Sequence, residues 1–241
     1  MADVKRYGFV IDPVRCIDCR ACLVACRAQW NVPEGKTRIW VHTTGIEGTF
    51  PNLSQRFVPA QCHHCSDAPC LEACPTGATY RRQDGIVMID DEACIGCGLC
   101  VNACPYGARF YNVEKGVAEK CNACYTRVDR GEAPACVATC VGGARLFGDL
   151  NDAQSDVRQA MEGRAVYRPI NEIDTQPNTY YLEPLAEQSE VWPRQTEPTA
   201  AEKFWQRVAV PGTKLAVGMA VVGQAVAFAA QLLWGETADE D

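Results

Sequence analysis

The sequence predicts an α+β fold in which two small strand–loop–helix units interleave along the chain, followed by a long irregular extension and a C-terminal apolar helix. Three observations carry this. The 16 cysteines fall into four groups of four with none left over: Cys16, Cys19, Cys22, Cys26; Cys62, Cys65, Cys70, Cys74; Cys94, Cys97, Cys100, Cys104; and Cys121, Cys124, Cys136, Cys140. The first and third groups align with their surroundings, Ile11-Asp12 with Ile89-Asp90, Ile17 with Ile95 and Ala25 with Ala103, so one unit has been repeated. The last cysteines of the second and fourth groups share a sequel that the third group joins, Cys74-Pro-Thr-Gly-Ala, Cys140-Val-Gly-Gly-Ala and Cys104-Pro-Tyr-Gly-Ala, in which Gly turns the chain and Ala opens a strand.

Residues 94–105 read Cys-Ile-Gly-Cys-Gly-Leu-Cys-Val-Asn-Ala-Cys-Pro. That is the spacing with which a bacterial-type ferredoxin holds a [4Fe-4S] cubane. A cubane presents four iron corners within a few ångströms, so three thiolates must come from one tight loop. Gly96 and Gly98 let that loop curl with its N–H groups toward the anionic sulfides. The fourth cysteine, expected to start a short helix, points to the other cluster of a two-cluster unit. The expectation is therefore two ferredoxin-like units with four [4Fe-4S] clusters and exchanged ligands. Groups two and three form one unit, with Cys62, Cys65, Cys70 and Cys104 on one cubane and Cys94, Cys97, Cys100 and Cys74 on the other. Groups one and four pair across the chain, with Cys16, Cys19, Cys22 and Cys140 on one cubane and Cys121, Cys124, Cys136 and Cys26 on the other. A disulfide framework suits a small secreted domain, whereas 241 residues at 47% hydrophobic content can build a core. Zinc is the competing ligand for Cys121, Cys124, Cys136 and Cys140 alone, as two Cys-x-x-Cys-like knuckles.

A net charge of -7 argues against nucleic acid, which needs a basic face. The N-terminal stretch has no apolar h-region, and no cleavable signal is expected; a folded subunit can still be exported bound to a partner that carries one.

In chain order, residues 1–58 hold the first group and an insertion, 59–112 the central two-cluster unit, 113–150 the fourth group, 151–200 an extended partner-binding arm, and 201–241 an apolar helix with an acidic tail. Residues 7–12 read as the first strand. Strands are also expected at 78–82, 86–89, 108–111 and 144–147, with Asp84-Gly85 as a hairpin turn. Residues 27–61, with Trp30, Trp40 and a strand at 38–42, are long for a plain connection. They either touch another subunit or form a hairpin packing its tryptophans on the chain's own core. His63 and His64 sit within the second cluster loop, as donors to sulfur or as solvated loop residues; no histidine is needed as a ligand. Asp152 can cap a helix to about Met161. The proline-punctuated arm carries Tyr167, Tyr180, Tyr181 and Trp192, aromatics suited to a partner surface. Residues 215–234 match a bilayer span in length, with a buried helix docked on a partner as the alternative. Lys203, Arg207 and Lys214 precede this run and acidic residues follow it, so the positive-inside rule alone puts the clusters on the cytoplasmic side.

The four groups in this order, with Cys62-x2-Cys65-x4-Cys70-x3-Cys74-Pro and eleven residues between Cys124 and Cys136, resemble the four-cluster iron–sulfur subunits of the molybdopterin oxidoreductase (dimethyl sulfoxide reductase) superfamily. The resemblance covers residues 7–151, and Val141 departs from the proline of the other two loops. It implies a non-catalytic electron-transfer subunit. Such a subunit passes single electrons between a catalytic molybdopterin-type subunit and a polytopic, quinone-binding membrane subunit of a respiratory complex at the cell membrane. Relatives with a C-terminal anchor keep their clusters outside, opposite to the charge rule. No nucleophile–base constellation is visible. A soluble polyferredoxin and a subunit of a membrane hydrogenase or cytochrome-linked quinone reductase are the alternatives.

Overall fold

A computed structural model describes residues 4–170 and 173–182, together with Met219, Gly223 and Gln224. The spine is β1 (Tyr7–Ile11), in which Phe9, Val10 and Ile11 are all buried. Each such side chain contributes about 1.5–3 kcal/mol on leaving water. Asp12 caps the one-turn 3-10 helix Pro13–Arg15 through its side chain, and α1 (Ala21–Trp30) follows. The insertion runs through β2 (Ile39–Thr43), β3 (Glu47–Thr49), β4 (Asn52–Ser54) and β5 (Phe57–Gln61). The central unit has α2 (Pro69–Glu72), β6 (Thr79–Arg81), β7 (Val87–Ile89), α3 (Leu99–Asn102), β8 (Arg109–Asn112) and β9 (Val117–Lys120). Then come α4 (Tyr125–Val128), α5 (Ala135–Ala138), β10 (Arg145–Asp149), α6 (Asp156–Met161), β11 (Val166–Tyr167) and β12 (Thr179–Leu182).

Interleaving is visible in the pairing. β1 runs antiparallel to β10 with Tyr7 opposite Asp149 and Ile11 opposite Arg145, and α1 packs on α5, which closes the first and fourth cysteine groups into one unit across the chain. Within the central unit, β6 pairs with β7 and β8 with β9, both antiparallel, while α2 packs on α3. The turn at Asp84-Gly85 is the expected one, with Gly85 at φ +86°.

Three expectations change. The arm does not leave the chain at 151: β12 adds to β1 in parallel, β11 closes the edge, and the sheet order is β10-β1-β12-β11. Tyr181 is fully buried, its hydroxyl donating to the Pro59 carbonyl at 2.9 Å, so an aromatic read as partner surface is core. Trp192 lies outside the described residues. The last helix of the arm begins at Ser155, whose hydroxyl accepts from Arg158 N–H, because Asp152 is spent on the Gln154 amide one turn earlier. Finally, in groups two, three and four the third cysteine, not the fourth, lies in the short helix, Cys70 in α2, Cys100 in α3 and Cys136 in α5, whereas the longer α1 holds both Cys22 and Cys26.

The insertion packs in part on the chain's own core. Trp40 is buried in the chain's own core, whereas the β3–β4 hairpin exposes Ile46, Phe50 and Leu53. The chain divides into two compact units, Met1–Glu197 and Pro198–Asp241. Residues 215–234, expected to span a membrane, lie outside the described residues apart from Met219, Gly223 and Gln224. Among the described residues no helix is long and apolar enough to cross one.

Candidate metal centres

The loops of the third and fourth groups are shaped by close backbone approaches that only glycine accepts. At Gly96 (φ +66°) an added Cβ would stand 2.3 Å from the Gly116 carbonyl oxygen, and at Gly142 it would stand 2.3 Å from that of Arg15. The second contact locks the fourth cysteine loop onto the first.

The thiols converge as follows. Cys140 lines the same cavity as Cys16, Cys19 and Cys22, with Arg145 in its wall. Cys26, on the last turns of α1, faces Cys121, Cys136 and Cys124, and burial followed by these neighbours drives its thiol pKa upward. Cys62, Cys65, Cys70 and Cys104 share one neighbourhood. Burial pushes Cys65 up to about 12, against the Thr175 hydroxyl, and Cys104 up to about 11, with Cys62 adding to it. Cys74 follows α2, which packs on the α3 that carries Cys100. Burial raises the Cys74 pKa, but hydrogen bonds from the Thr79 amide and the Thr76 side chain together bring it below the ordinary thiol value. The sets also follow one another through the core: Cys100, Cys70, Cys62 and Cys121 share one buried cluster, and Cys22, Cys26 and Cys136 share another.

Donors point at the sulfurs. Arg109 Nη2 donates to Cys70 Sγ at 3.0 Å, Trp30 Nε1 to Cys124 Sγ at 3.2 Å, Thr175 Oγ1 to Cys65 Sγ at 3.1 Å, and the amides of Thr79 and Ala123 to Cys74 and Cys121 Sγ at 3.4 Å. Lys120 Nζ, fully buried, donates to the Val87 and Cys121 carbonyls. His63 and His64 are not solvated; both are buried. His64 Nδ1 accepts from Val87 N–H at 3.0 Å, which assigns the proton to Nε2, and that N–H has no acceptor among the described residues.

The donor set fits a cubane. Crowded, buried thiols resist ionisation unless positive charge lies beside them, and the cationic iron of a cluster supplies it. A single zinc ion needs three or four ligand atoms about one centre, and no group of three or more His, Cys, Asp or Glu side chains among the described residues has that spacing. Four separated iron corners do not need it.

Sequence reasoning missed the basic side chains among the sulfurs. Arg109, Lys120 and Arg145 are at most 3% exposed. The signal for two of them was present: Ala108-Arg109 and Ala144-Arg145 repeat the same dipeptide at the same place after a cysteine.

Comparison with known proteins agrees with the thiol pattern. A family described as a 4Fe-4S dicluster domain matches residues 53–150, and a second of the same description matches residues 8–75. The chain is 41% identical to a tetrathionate reductase subunit of Salmonella typhimurium over 183 residues, covering 73% of this chain and 72% of the relative. It is 44% identical to the thiosulfate reductase electron transfer subunit PhsB of Salmonella typhi over 166 residues, covering 68% and 85%. It is 38% identical to a putative dimethyl sulfoxide reductase iron-sulfur subunit of Halobacterium salinarum over 208 residues, covering 74% and 79%.

Proposed function

Because this chain belongs to the iron–sulfur electron-transfer subunits of the molybdopterin oxidoreductase superfamily, we propose that it carries four [4Fe-4S] clusters in a row between a catalytic molybdopterin-type subunit and a membrane subunit that handles quinone. The single observation behind the row is the succession of thiol sets through shared buried clusters: Cys100, Cys70, Cys62 and Cys121 in one, Cys136, Cys26 and Cys22 in the next. The ligand sets are Cys94, Cys97, Cys100 and Cys74; Cys62, Cys65, Cys70 and Cys104; Cys121, Cys124, Cys136 and Cys26; and Cys16, Cys19, Cys22 and Cys140.

When bound, such clusters supply one-electron redox chemistry, and no proton or substrate bond is handled by the chain. The residues do three things. Sixteen thiolates fix positions on loops that the α1–α5 and α2–α3 contacts hold rigid. N–H and O–H donors from Trp30, Thr175 and Arg109 stabilise negative charge on sulfur. Burial of most of the cysteines excludes water. Cys19 is exposed, and the same loop exposes Val14 and Ile17, as a contact face for a partner redox centre requires. Membrane attachment through residues 215–234 is part of the proposal, and the substrate class suggested by the relatives is an oxidised sulfur compound.

Anaerobic iron and sulfide analysis tests it. About 16 of each per chain are expected, four per cubane. Eight or fewer irons, or stoichiometric zinc, would refute the four-cluster reading.

A further inference from the structure

Two arginines occupy equivalent places in the repeat, each directly after the Gly-Ala that follows a last cysteine: Cys104-Pro-Tyr-Gly-Ala-Arg109 and Cys140-Val-Gly-Gly-Ala-Arg145. The second group has Thr79 at that place. Each arginine opens a strand, β8 or β10, and turns inward, with 3% and 1% of its surface exposed. A buried charge of this kind is costly unless an opposite charge meets it.

Neither guanidinium meets a carboxylate among the described residues. Arg109 donates from Nη2 to Cys70 Sγ at 3.0 Å and from Nη1 to Thr79 Oγ1 at 3.1 Å. Arg145 donates from Nη2 to Gln61 Oε1, while its Nε and Nη1 meet no acceptor among the described residues. Arg145 lines a cavity together with Cys16, Cys19, Cys22 and Cys140, and the Cys136 thiol also lies beside its guanidinium. The negative charge that each arginine faces comes chiefly from sulfur of two ligand sets at once, with the Tyr181 hydroxyl also near Arg145. Arg109 faces Cys70, Cys62 and Cys104 of one set and Cys100 of the next; Arg145 faces Cys136 and Cys121 of one set and Cys22 of the next.

We propose that Arg109 and Arg145 are fixed counter-charges, one between the two ligand sets of each unit, that raise the potentials of both clusters of the pair and keep the first electron in a pair from blocking the second. The inference rests on the ligand sets proposed above. An electron received from one partner subunit adds one negative charge to a ligand set and leaves toward the other partner. In a medium of low dielectric, two neighbouring sets that each gain a charge repel, and a cation between them attracts both. Arginine suits the place because its charge persists at any working pH and its planar fork serves two sides. No proton moves.

The test is an anaerobic redox titration of the holo-complex followed by electron paramagnetic resonance, with iron and sulfide counted in every sample. Arg145→Gln should lower the one-electron equilibrium tenfold or more, about 59 mV, for two clusters and leave the other two unshifted. Arg145→Lys should restore most of the loss, and Arg109→Gln should shift the complementary pair. Unchanged potentials in Arg145→Gln at full cluster content, or a lysine variant shifted as far as the glutamine one, would overturn the proposal. Should Arg145→Gln shed clusters, Gln61→Glu takes its place, because it sets a carboxylate of the same shape on Nη2. The same two potentials should then fall, and unchanged ones would overturn the proposal. Too few irons in the unsubstituted protein would count against the four-cluster reading instead, so the two failures are distinguishable.

Discussion

Glu119→Ala should be among the most damaging single substitutions that leave every cysteine in place. The Glu119 carboxylate takes Arg38 Nη2 at 2.6 Å and Nε at 2.7 Å on one oxygen, and Asn112 Nδ2 at 2.5 Å on the other. Both side chains of the ion pair are about 95% buried, at 5% and 6% exposure. Removing one partner of a buried pair costs about 3–5 kcal/mol because the survivor keeps an uncompensated charge. Arg38 has no reserve, since its Nη1 already lacks an acceptor among the described residues. At 1.36 kcal/mol per tenfold the loss is roughly 150- to 5,000-fold in the folding equilibrium. Cluster loss is irreversible, so the assay is the rate at which visible absorbance bleaches in guanidinium. If half of the lower bound appears in the unfolding rate, bleaching accelerates about tenfold. The double variant Arg38→Met/Glu119→Leu removes both charges and should recover most of the stability. Bleaching within about twofold of the parent for Glu119→Ala, or a double variant as unstable as the single one, would refute the reasoning. The pair also touches function: the Arg38 guanidinium lies 4.9 Å from the Trp30 ring, whose Nε1 donates to Cys124 Sγ.

Further outcomes follow from the same contacts. Trp30→Phe keeps the stack but deletes that donor, worth about 1 kcal/mol. The cluster of Cys124 should titrate at a lower potential by a few-fold in the one-electron equilibrium, with iron content unchanged; an unshifted potential would show that the bond has no weight. Gly96→Ala combines a left-handed residue, costing about 1–2 kcal/mol, with a Cβ 2.3 Å from the Gly116 carbonyl oxygen. Iron per chain should fall by about a quarter as the Cys94 loop opens, and full iron content would show that the loop tolerates the clash.

What was legible in the sequence is what is local. Cysteine spacing, the aligned Ile-Asp and Gly-Ala dipeptides and the Asp84-Gly85 turn each depend on a few neighbouring residues, and all point to the strands and loops found. The place of residues 179–182 was not legible. Thr179-Tyr-Tyr-Leu182 sits in a proline-punctuated run, and its strand exists because β1, some 170 residues earlier, offers a free edge and a pocket for Tyr181. The burial of His63 and His64 was hidden for the same reason: Val87 and Asn178, which bond to His64, come from remote segments. The convergence of Cys26 with Cys121, Cys124 and Cys136, and of Cys140 with Cys16, Cys19 and Cys22, joins segments more than 90 residues apart, and no local pattern carries it. The buried arginines were readable only as a repeated dipeptide with no assigned meaning.

The most direct test of the central claim is the structure of the iron-loaded protein, with the irons located by anomalous diffraction at the iron edge. Four cubanes in a row are expected, with Cys26 Sγ bonded to the cubane of Cys121, Cys124 and Cys136, and Cys140 Sγ to that of Cys16, Cys19 and Cys22. Fewer than four cubanes, or Cys26 bonded to the same cubane as Cys16, Cys19 and Cys22, would contradict it.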